Sequence, residues 1–357
     1  SDGGCPSLLL EPTRSNLMPY SEAFDNASWN KIGASATSGF VSPSGDLSAF
    51  KLVEDTSTGN HFIYSFTTTG AVGKHTISFF VKANGRNFIA ISSNANGGVT
   101  RRCEFDLTTE TVTWDGFGNS TETKIESLSN DWYRISAVID STGGGAVRVI
   151  ALELSSVSVL SNFADSYNGD GTSGIYIYGA QLEQGSYATS YIPTSGSAVT
   201  RLADVCNNGG NEQVINSTEG VLYAEISYLA NDSSIEGLSI NDGTASNRVA
   251  IFKWNTPNTI RARVTSNGVN TFDVSVPISD LTSFNKIALK YKVNDFALWI
   301  NGVEVSTNFN GTIPIGLSGL DFNSNSAGGD TFLGNTKDIR VYNTALTDSE
   351  LATLTTI

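Results

Sequence analysis

Apolar residues at every second position, broken by Asn-Gly and Gly-rich turns, recur along almost the whole chain, and this period of two fits strands and little else. In Lys74-His75-Thr76-Ile77-Ser78-Phe79-Phe80-Val81-Lys82, residues Ile77, Phe79 and Val81 share one face. The Asn84-Gly85 step that follows predicts a hairpin turn, with Phe88 to Ile91 returning as the paired strand. Further strands are expected over Cys103 to Leu107, Thr111 to Trp114, Tyr133 to Ile139, Val147 to Leu154 and Ile175 to Leu182, punctuated by Gly143-Gly144-Gly145 and Asn168-Gly169-Asp170-Gly171. The same pattern covers Val221 to Tyr228, Arg248 to Trp254, Thr259 to Thr265, Thr271 to Val276, Lys286 to Val293, Phe296 to Ile300, Val303 to Val305 and Asp338 to Tyr342.

Composition narrows the partners. Only 16% of the 357 residues are charged, against about 25% in an ordinary domain. The formal charge is −14 with no basic cluster, which argues against nucleic acid and anionic membrane surfaces. No apolar run approaches the roughly 20 residues of a membrane-spanning helix.

A seam rich in Pro, Gly, Ser and Asn runs from Pro193 to Asn216 and divides the chain into 1–200, a linker at 201–215, and 216–357. Thr347-Asp348-Ser349-Glu350 has the spacing of a capping box, so one short helix closes the chain, turning Leu346, Leu351 and Leu354 toward the sheet. The expected fold is all-β: two tandem antiparallel β-sandwiches of jelly-roll type with one C-terminal helix.

Two resemblances follow from these segments. Leu8-Leu9-Leu10-Glu11-Pro12-Thr13-Arg14-Ser15-Asn16-Leu17, Tyr20-Ser21-Glu22 with Phe24 and Trp29, Trp132-Tyr133-Arg134, Gly179-Ala180-Gln181-Leu182-Glu183, and above all the Tyr187 to Asp204 stretch give the first part its likeness. It resembles a galactose-binding or carbohydrate-binding jelly-roll module of the kind seen in bacteriophage tail proteins and large secreted bacterial proteins. Leu298-Trp299-Ile300-Asn301-Gly302, Phe332-Leu333-Gly334 and Asp338 to Asn343 make the second part similar to concanavalin A-like, laminin-G-type lectin sandwiches. Such folds carry lectins, enzymes and structural domains alike. The first resemblance implies a structural Ca²⁺ between the N-terminal and last strands of its module, on the hard oxygen donors of Asn16, Glu22, Gln181 and Glu183. Asp165, Asn168 and Asp170 form a second oxygen-rich loop, which turn chemistry also explains.

Catalytic patterns are weak. The chain has two histidines, His61 and His75, and no triad assembles from spacing. On strict parity His75 belongs to the core face. Glu104-Phe105-Asp106-Leu107-Thr108-Thr109-Glu110 invites comparison with the paired carboxylates of glycoside hydrolases, but the last Glu is a residue too far and the intervening residues read as a turn. Cys103 shares a face with Phe105 and Leu107 and is expected to be buried. Cys5 and Cys206 flank the first module and could bridge.

Neutral polar side chains and aromatic rings instead suit a sugar. Trp29 and Trp132 are expected in the core, whereas Trp114 and Trp254 at strand ends and Trp299 on an outward parity are the expected ligand contacts. The reading is a non-catalytic polysaccharide-binding or adhesion fragment of a phage tail or surface protein, located in a virion or extracellularly, with a homotrimer implied for the intact protein. A polysaccharide depolymerase and a purely structural virion decoration module are the alternatives.

Overall fold

The computed structural model describes residues 6–68, 72–94, 100–118, 122–141, 147–161, 164–325 and 330–357. The Gly143-Gly144-Gly145 turn and Cys5, with its suggested bridge to Cys206, lie outside them. The chain forms two compact units, Thr13–Leu202 and Ser1–Pro12 with Ala203–Ile357. Each is an antiparallel β-sandwich.

In Thr13–Leu202, one six-stranded sheet runs in the order Thr111–Asp115, Arg101–Asp106, Phe88–Ser93, Val147–Ser155, His61–Thr68, Trp29–Ile32. The other runs Lys124–Ser127, Tyr133–Ser141, Gly73–Asn84, Gly174–Gln184, Ala49–Glu54, Ala34–Phe40. Alternation does the packing: Ile77, Phe79 and Val81 from one sheet meet Ile89, Ile91, Cys103 and Phe105 from the other in a common core. Trp29, Trp132 and Cys103 are buried as the sequence suggests, and so is His75. The Cys103 thiol is pushed well above its ordinary pKa by burial and by the adjacent Asp115 carboxylate, which marks an inert packing residue.

The Asn84-Gly85 turn is not a hairpin. Gly73–Asn84 pairs with Tyr133–Ser141 and Gly174–Gln184, whereas Phe88–Ser93 lies in the opposite sheet beside Arg101–Asp106 and Val147–Ser155. Gly85, at φ 91°, instead bridges Gly174, and Arg86 donates its backbone N–H to the Gly174 carbonyl before the chain crosses between sheets. A Cβ at Gly85 would lie 2.6 Å from the Ser173 hydroxyl, so the corner requires glycine.

The second unit also begins earlier than the sequence suggests. Leu8–Leu10 pairs with Gly334–Tyr342, Leu8 opposite Thr336, and Leu10 enters the core of that unit. The order of its first sheet is Leu8–Leu10, Gly334–Tyr342, Glu219–Tyr228, Asn285–Lys292, Phe296–Ile300, Val303–Asn308. The facing sheet is Val269–Pro277, Thr259–Ser266, Arg248–Lys253, Glu236–Asn241, Gly319–Asp321. Most of the expected linker is part of this sandwich: Gly209 and Leu320 exchange backbone hydrogen bonds, and Phe322 N–H donates to the Cys206 carbonyl. Those bonds satisfy backbone that a free linker would leave to water.

The helix Asp348–Thr355 carries its capping box as expected. Glu350 N–H donates to the Thr347 hydroxyl at 3.3 Å, and Thr347 N–H donates to the Glu350 carboxylate at 2.8 Å. Leu351 is buried, with Leu346 and Leu354 packed beside it.

Candidate functional site

The four residues expected to hold calcium separate into three that meet and one that does not. Asn16, on the short strand Arg14–Asn16, donates its amide to the carbonyls of Ala180 (3.0 Å) and Ile192 (2.8 Å). Its Oδ1 accepts from the N–H groups of Met18 and Leu182, both at 3.1 Å. Gln181 Nε2 donates to Glu183 Oε1 at 2.7 Å, and Gln181 Oε1 accepts from Ile192 N–H. Glu183 further accepts from the Thr189 N–H and hydroxyl. Every side-chain oxygen of this buried trio therefore already has a donor, which does not fit a cation that must be surrounded by free lone pairs. Glu22 lies apart, accepting from the Tyr178 hydroxyl at 2.8 Å. Among the described residues no group of three His, Cys, Asp or Glu is arranged to hold a metal. The trio acts as a clamp that fastens the module's first strand and the 189–192 segment to Gly174–Gln184.

The second oxygen-rich loop is turn chemistry. Asp170 accepts from the N–H groups of Thr172 and Ser173 and from the Ser173 hydroxyl, and these hydrogen bonds hold its carboxyl far below the usual range. Asp165 is spent elsewhere, on Ser156. Beside Asp170, the carboxylate of Glu54 receives Arg86 in a two-point contact, the Tyr167 hydroxyl at 2.6 Å and Asp170 N–H at 2.9 Å. Burial works to raise the Glu54 pKa, but the hydrogen bonds from Arg86 and Tyr167 outweigh it and hold the carboxyl below its ordinary 4.5. A depressed folded pKa means that the unfolded chain binds the proton first, so this stabilisation is complete above about pH 4.5 and fades as pH falls through the folded value. Glu54→Gln is expected to lower stability at pH 7 by about 2–3 kcal/mol and to flatten the acid limb below pH 4.5, read by urea unfolding from pH 3 to 7.

The glycoside-hydrolase comparison dissolves in the same way. Glu104, fully buried, is held by Arg102 Nη1 at 2.9 Å and by donors from Thr113, Ser158 and Val159. Glu110 sits in the turn between Arg101–Asp106 and Thr111–Asp115 at φ 56° and accepts from Ser127 and Tyr133.

The tryptophans are distributed over three settings. Trp299 does turn away from the main core, as its parity requires, but it is only 8% exposed because the helix covers it. It packs with Val221, Tyr223, Ala288 and Leu351, so it is no ligand contact. Trp114 stands half-buried on the edge strand opposite Glu104, its indole nitrogen sealed without a partner. Trp254 is half-buried, with the Arg261 guanidinium 4.0 Å above its ring.

The open aromatic surfaces are different ones. On the outer face of the second sheet of Thr13–Leu202, Tyr176 lies between Lys51 and Lys82 across the strands, and Tyr178 lies beside Phe80. The Phe40 and Tyr176 rings stand 5.1 Å apart, and Tyr178 and Tyr191 5.4 Å apart. Phe40 and Tyr176 wall a groove of about 320 Å³ that Val41, Ser42, Lys82, Asn130 and the buried Trp132 complete. Lys82 is steadied there by the Asn130 carbonyl at 2.7 Å. The Tyr178 hydroxyl is raised to about 12 by burial and by its bond to Glu22, so it stays a neutral donor. On the outer face of the first sheet, Phe62, Tyr64 and Phe66 make a file of rings 5.7 and 5.5 Å apart, with Phe66 54% exposed. Residues His61, Ile63, Ser65 and Thr67 take the inward positions of that strand. Sequence reasoning missed both surfaces, although three aromatics at every second position of 62–66 carry the pattern.

The fold thus defines a pair of all-β sandwiches whose outer faces present aromatic rings among neutral and cationic polar groups. A family model of the concanavalin A-like lectin/glucanases superfamily, of laminin-G type, matches residues 227–352, within the second unit. Among solved structures, the CBM40 of the Ruminococcus gnavus IT-sialidase is similar at 15% identity, over 43% of this chain and 96% of that one, with a TM-score of 0.36. The native heptameric SAP-like pentraxin of Limulus polyphemus is 14% identical over 41% of this chain and 73% of its own, with a TM-score of 0.34. Domains LG4-5 of the mouse laminin alpha1 chain are 9% identical over 88% of this chain and 91% of theirs, with a TM-score of 0.28. No curated protein matches the chain.

Proposed function

We propose that the protein is a non-catalytic glycan-binding fragment that recognises polysaccharide on a cell surface or in the environment. The observation that carries this reading is the Phe40–Tyr176 groove. Two partly exposed rings offer apolar faces to a sugar, while the Lys82 ammonium, the Asn130 amide and the Tyr176 hydroxyl at the same place offer hydrogen bonds to its hydroxyls. The concanavalin A-like lectin match over 227–352 is consistent with it.

We extend the reading to an adhesive component of a phage tail or comparable extracellular assembly, acting as a trimer. The support is the resemblance of the first module to such proteins and the general weakness of single sugar sites, which repetition compensates. Light scattering of the intact assembly is expected to give three protomer masses; a single protomer mass would count against it.

A panel of bacterial and algal polysaccharides tests the function itself. Retention on a glycan without release of reducing ends is the expected result, and reducing-end release would replace the lectin by a depolymerase. Phe40→Ala and Tyr176→Ala are each expected to weaken binding roughly tenfold or more, as measured by titration calorimetry.

A further inference from the structure

The outer face of the five-stranded sheet in the second unit carries more arginine than its own acceptors satisfy. Arg263 lies opposite Ala250 on one side and Asp273 on the other, Arg261 opposite Phe252, and Arg248 opposite Asn241 and Thr265. All three guanidiniums therefore stand on one side of two adjacent strands, Arg248–Lys253 and Thr259–Ser266, whose opposite side supplies Val249, Ile251, Ile260, Ala262 and Val264 to the core. Asp273 answers two of them. Arg261 holds it with Nε to Oδ1 at 2.6 Å and Nη2 to Oδ2 at 2.7 Å, while Arg263 Nη2 reaches the same Oδ2 at 3.0 Å. Among the described residues Arg248 finds only a neutral acceptor, the Ser324 carbonyl at 2.6 Å. The Nε groups of Arg248 and Arg263 are both sealed from solvent with no acceptor among the described residues.

A buried donor left unmade costs free energy, and a guanidinium cannot escape by losing its proton. Burial and the neighbouring Arg263 charge both work against the Arg248 cation, although Asp330 and Asp273 offset part of this. Aromatic rings prop the charges from below: Phe252 lies 5.5 Å from the Arg263 guanidinium and Trp254 lies 4.0 Å from that of Arg261. The Arg261 and Arg263 side chains remain 19% and 16% exposed and Arg248 is half-buried, so a ligand would meet the Nη groups of the cluster rather than the sealed Nε groups.

We propose that this face binds an oxyanion, a carboxylate or a sulfate, carried on a saccharide, with Arg248 and Arg263 as the contacting residues and the Arg261–Asp273 pair positioning them. The oxyanion rests on the arginines alone; that a saccharide carries it rests on the function proposed above. Guanidinium recognises planar carboxylates and sulfate oxygens through paired N–H donors, and here the protein supplies one carboxylate between two cations and leaves the third with a carbonyl.

Titration calorimetry of the full chain with three oligosaccharides, one bearing uronic acids, one sulfated and one neutral, tests the proposal. At least one anionic ligand is expected to bind, more weakly as salt rises, and Arg248→Met and Arg263→Met are each expected to lower its affinity tenfold or more. Carboxylate-only or sulfate-only binding identifies the source of the oxyanion. Retained neutral-glycan binding, or an unchanged circular dichroism spectrum, establishes that the variants fold. Equal affinity for all three ligands, or anionic binding untouched in the Arg248→Met, Arg263→Met double variant, overturns the inference. If the anionic ligand binds through the arginines while no neutral glycan binds at the Phe40–Tyr176 groove, the groove reading fails and this one stands.

Discussion

Replacing Arg102 with methionine is expected to lower the stability of the Thr13–Leu202 unit by about 3–5 kcal/mol, the largest effect of any single change considered. The side chain is fully buried on an outer sheet face that other residues have closed over. Its Nε donates to Glu153 at 2.9 Å, Nη1 to Glu104 at 2.9 Å and to the Val159 carbonyl at 2.9 Å, and Nη2 to the Ser155 hydroxyl at 2.7 Å. Removing the cation strands two carboxylates, Glu104 and Glu153, that among the described residues have no other cation paired with them. For a unit of this size the loss corresponds to a fall in melting temperature of about 10 °C, read by scanning calorimetry. Arg101→Met, one position away on an exposed side chain, is the control and should change stability by less than about 0.5 kcal/mol. Adding Glu104→Gln and Glu153→Gln to Arg102→Met should recover much of the loss, because the penalty lies in the orphaned charges. No recovery would mean that Arg102 acts by packing volume alone.

Lys253→Met is the counterpart in the other unit, with an expected loss of about 3 kcal/mol at neutral pH. The Lys253 ammonium is buried, 2.7 Å from Asp232, 3.1 Å from the Ala230 carbonyl and 3.4 Å from Glu236, with the Tyr228 ring 5.7 Å away. Burial already pushes the Glu236 carboxyl above its ordinary range in spite of Lys253. Without the lysine that shift grows. An acid whose folded pKa is raised stabilises the fold as it takes up its proton, so the deficit of the variant should be greatest at pH 7 and should narrow on acidification. Glu236→Gln in the same background should remove this pH dependence. A deficit that stays constant from pH 7 to pH 4 would contradict the charge-based account.

The sequence made the strands and their core faces readable because alternation reports directly on which side chains point the same way. Ile77, Phe79 and Val81, Cys103 with Phe105, and the Thr347–Glu350 box all follow from that local chemistry. What alternation does not carry is what lies on the other side of a face. Trp299 has the outward parity assigned to it, yet the helix residue Leu351 closes over it. Phe62, Tyr64 and Phe66 have the same pattern as a core stripe, and only the burial of His61, Ile63, Ser65 and Thr67 shows that the rings face out. Sheet membership was equally hidden. An Asn-Gly step permits a tight hairpin, but Gly85 is held by Gly174 and the next strand joins the opposite sheet. Leu8–Leu10 pairs with a strand more than three hundred residues along the chain, a contact no local pattern encodes. The expected metal ligands Asn16, Gln181 and Glu183 do converge, because the residues that would chelate an ion are also those that hydrogen-bond backbone at a strand junction.

The central claim is that the Phe40–Tyr176 groove holds a glycan. A glycan array probed with the full chain, followed by calorimetry of the strongest neutral hit on the wild type and the Phe40→Ala, Tyr176→Ala double variant, tests it most directly. The account predicts measurable binding by the wild type and its loss in the variant while the fold and the thermal transitions are kept. Undiminished binding by a folded double variant, or silence of the wild type across the array, would contradict it.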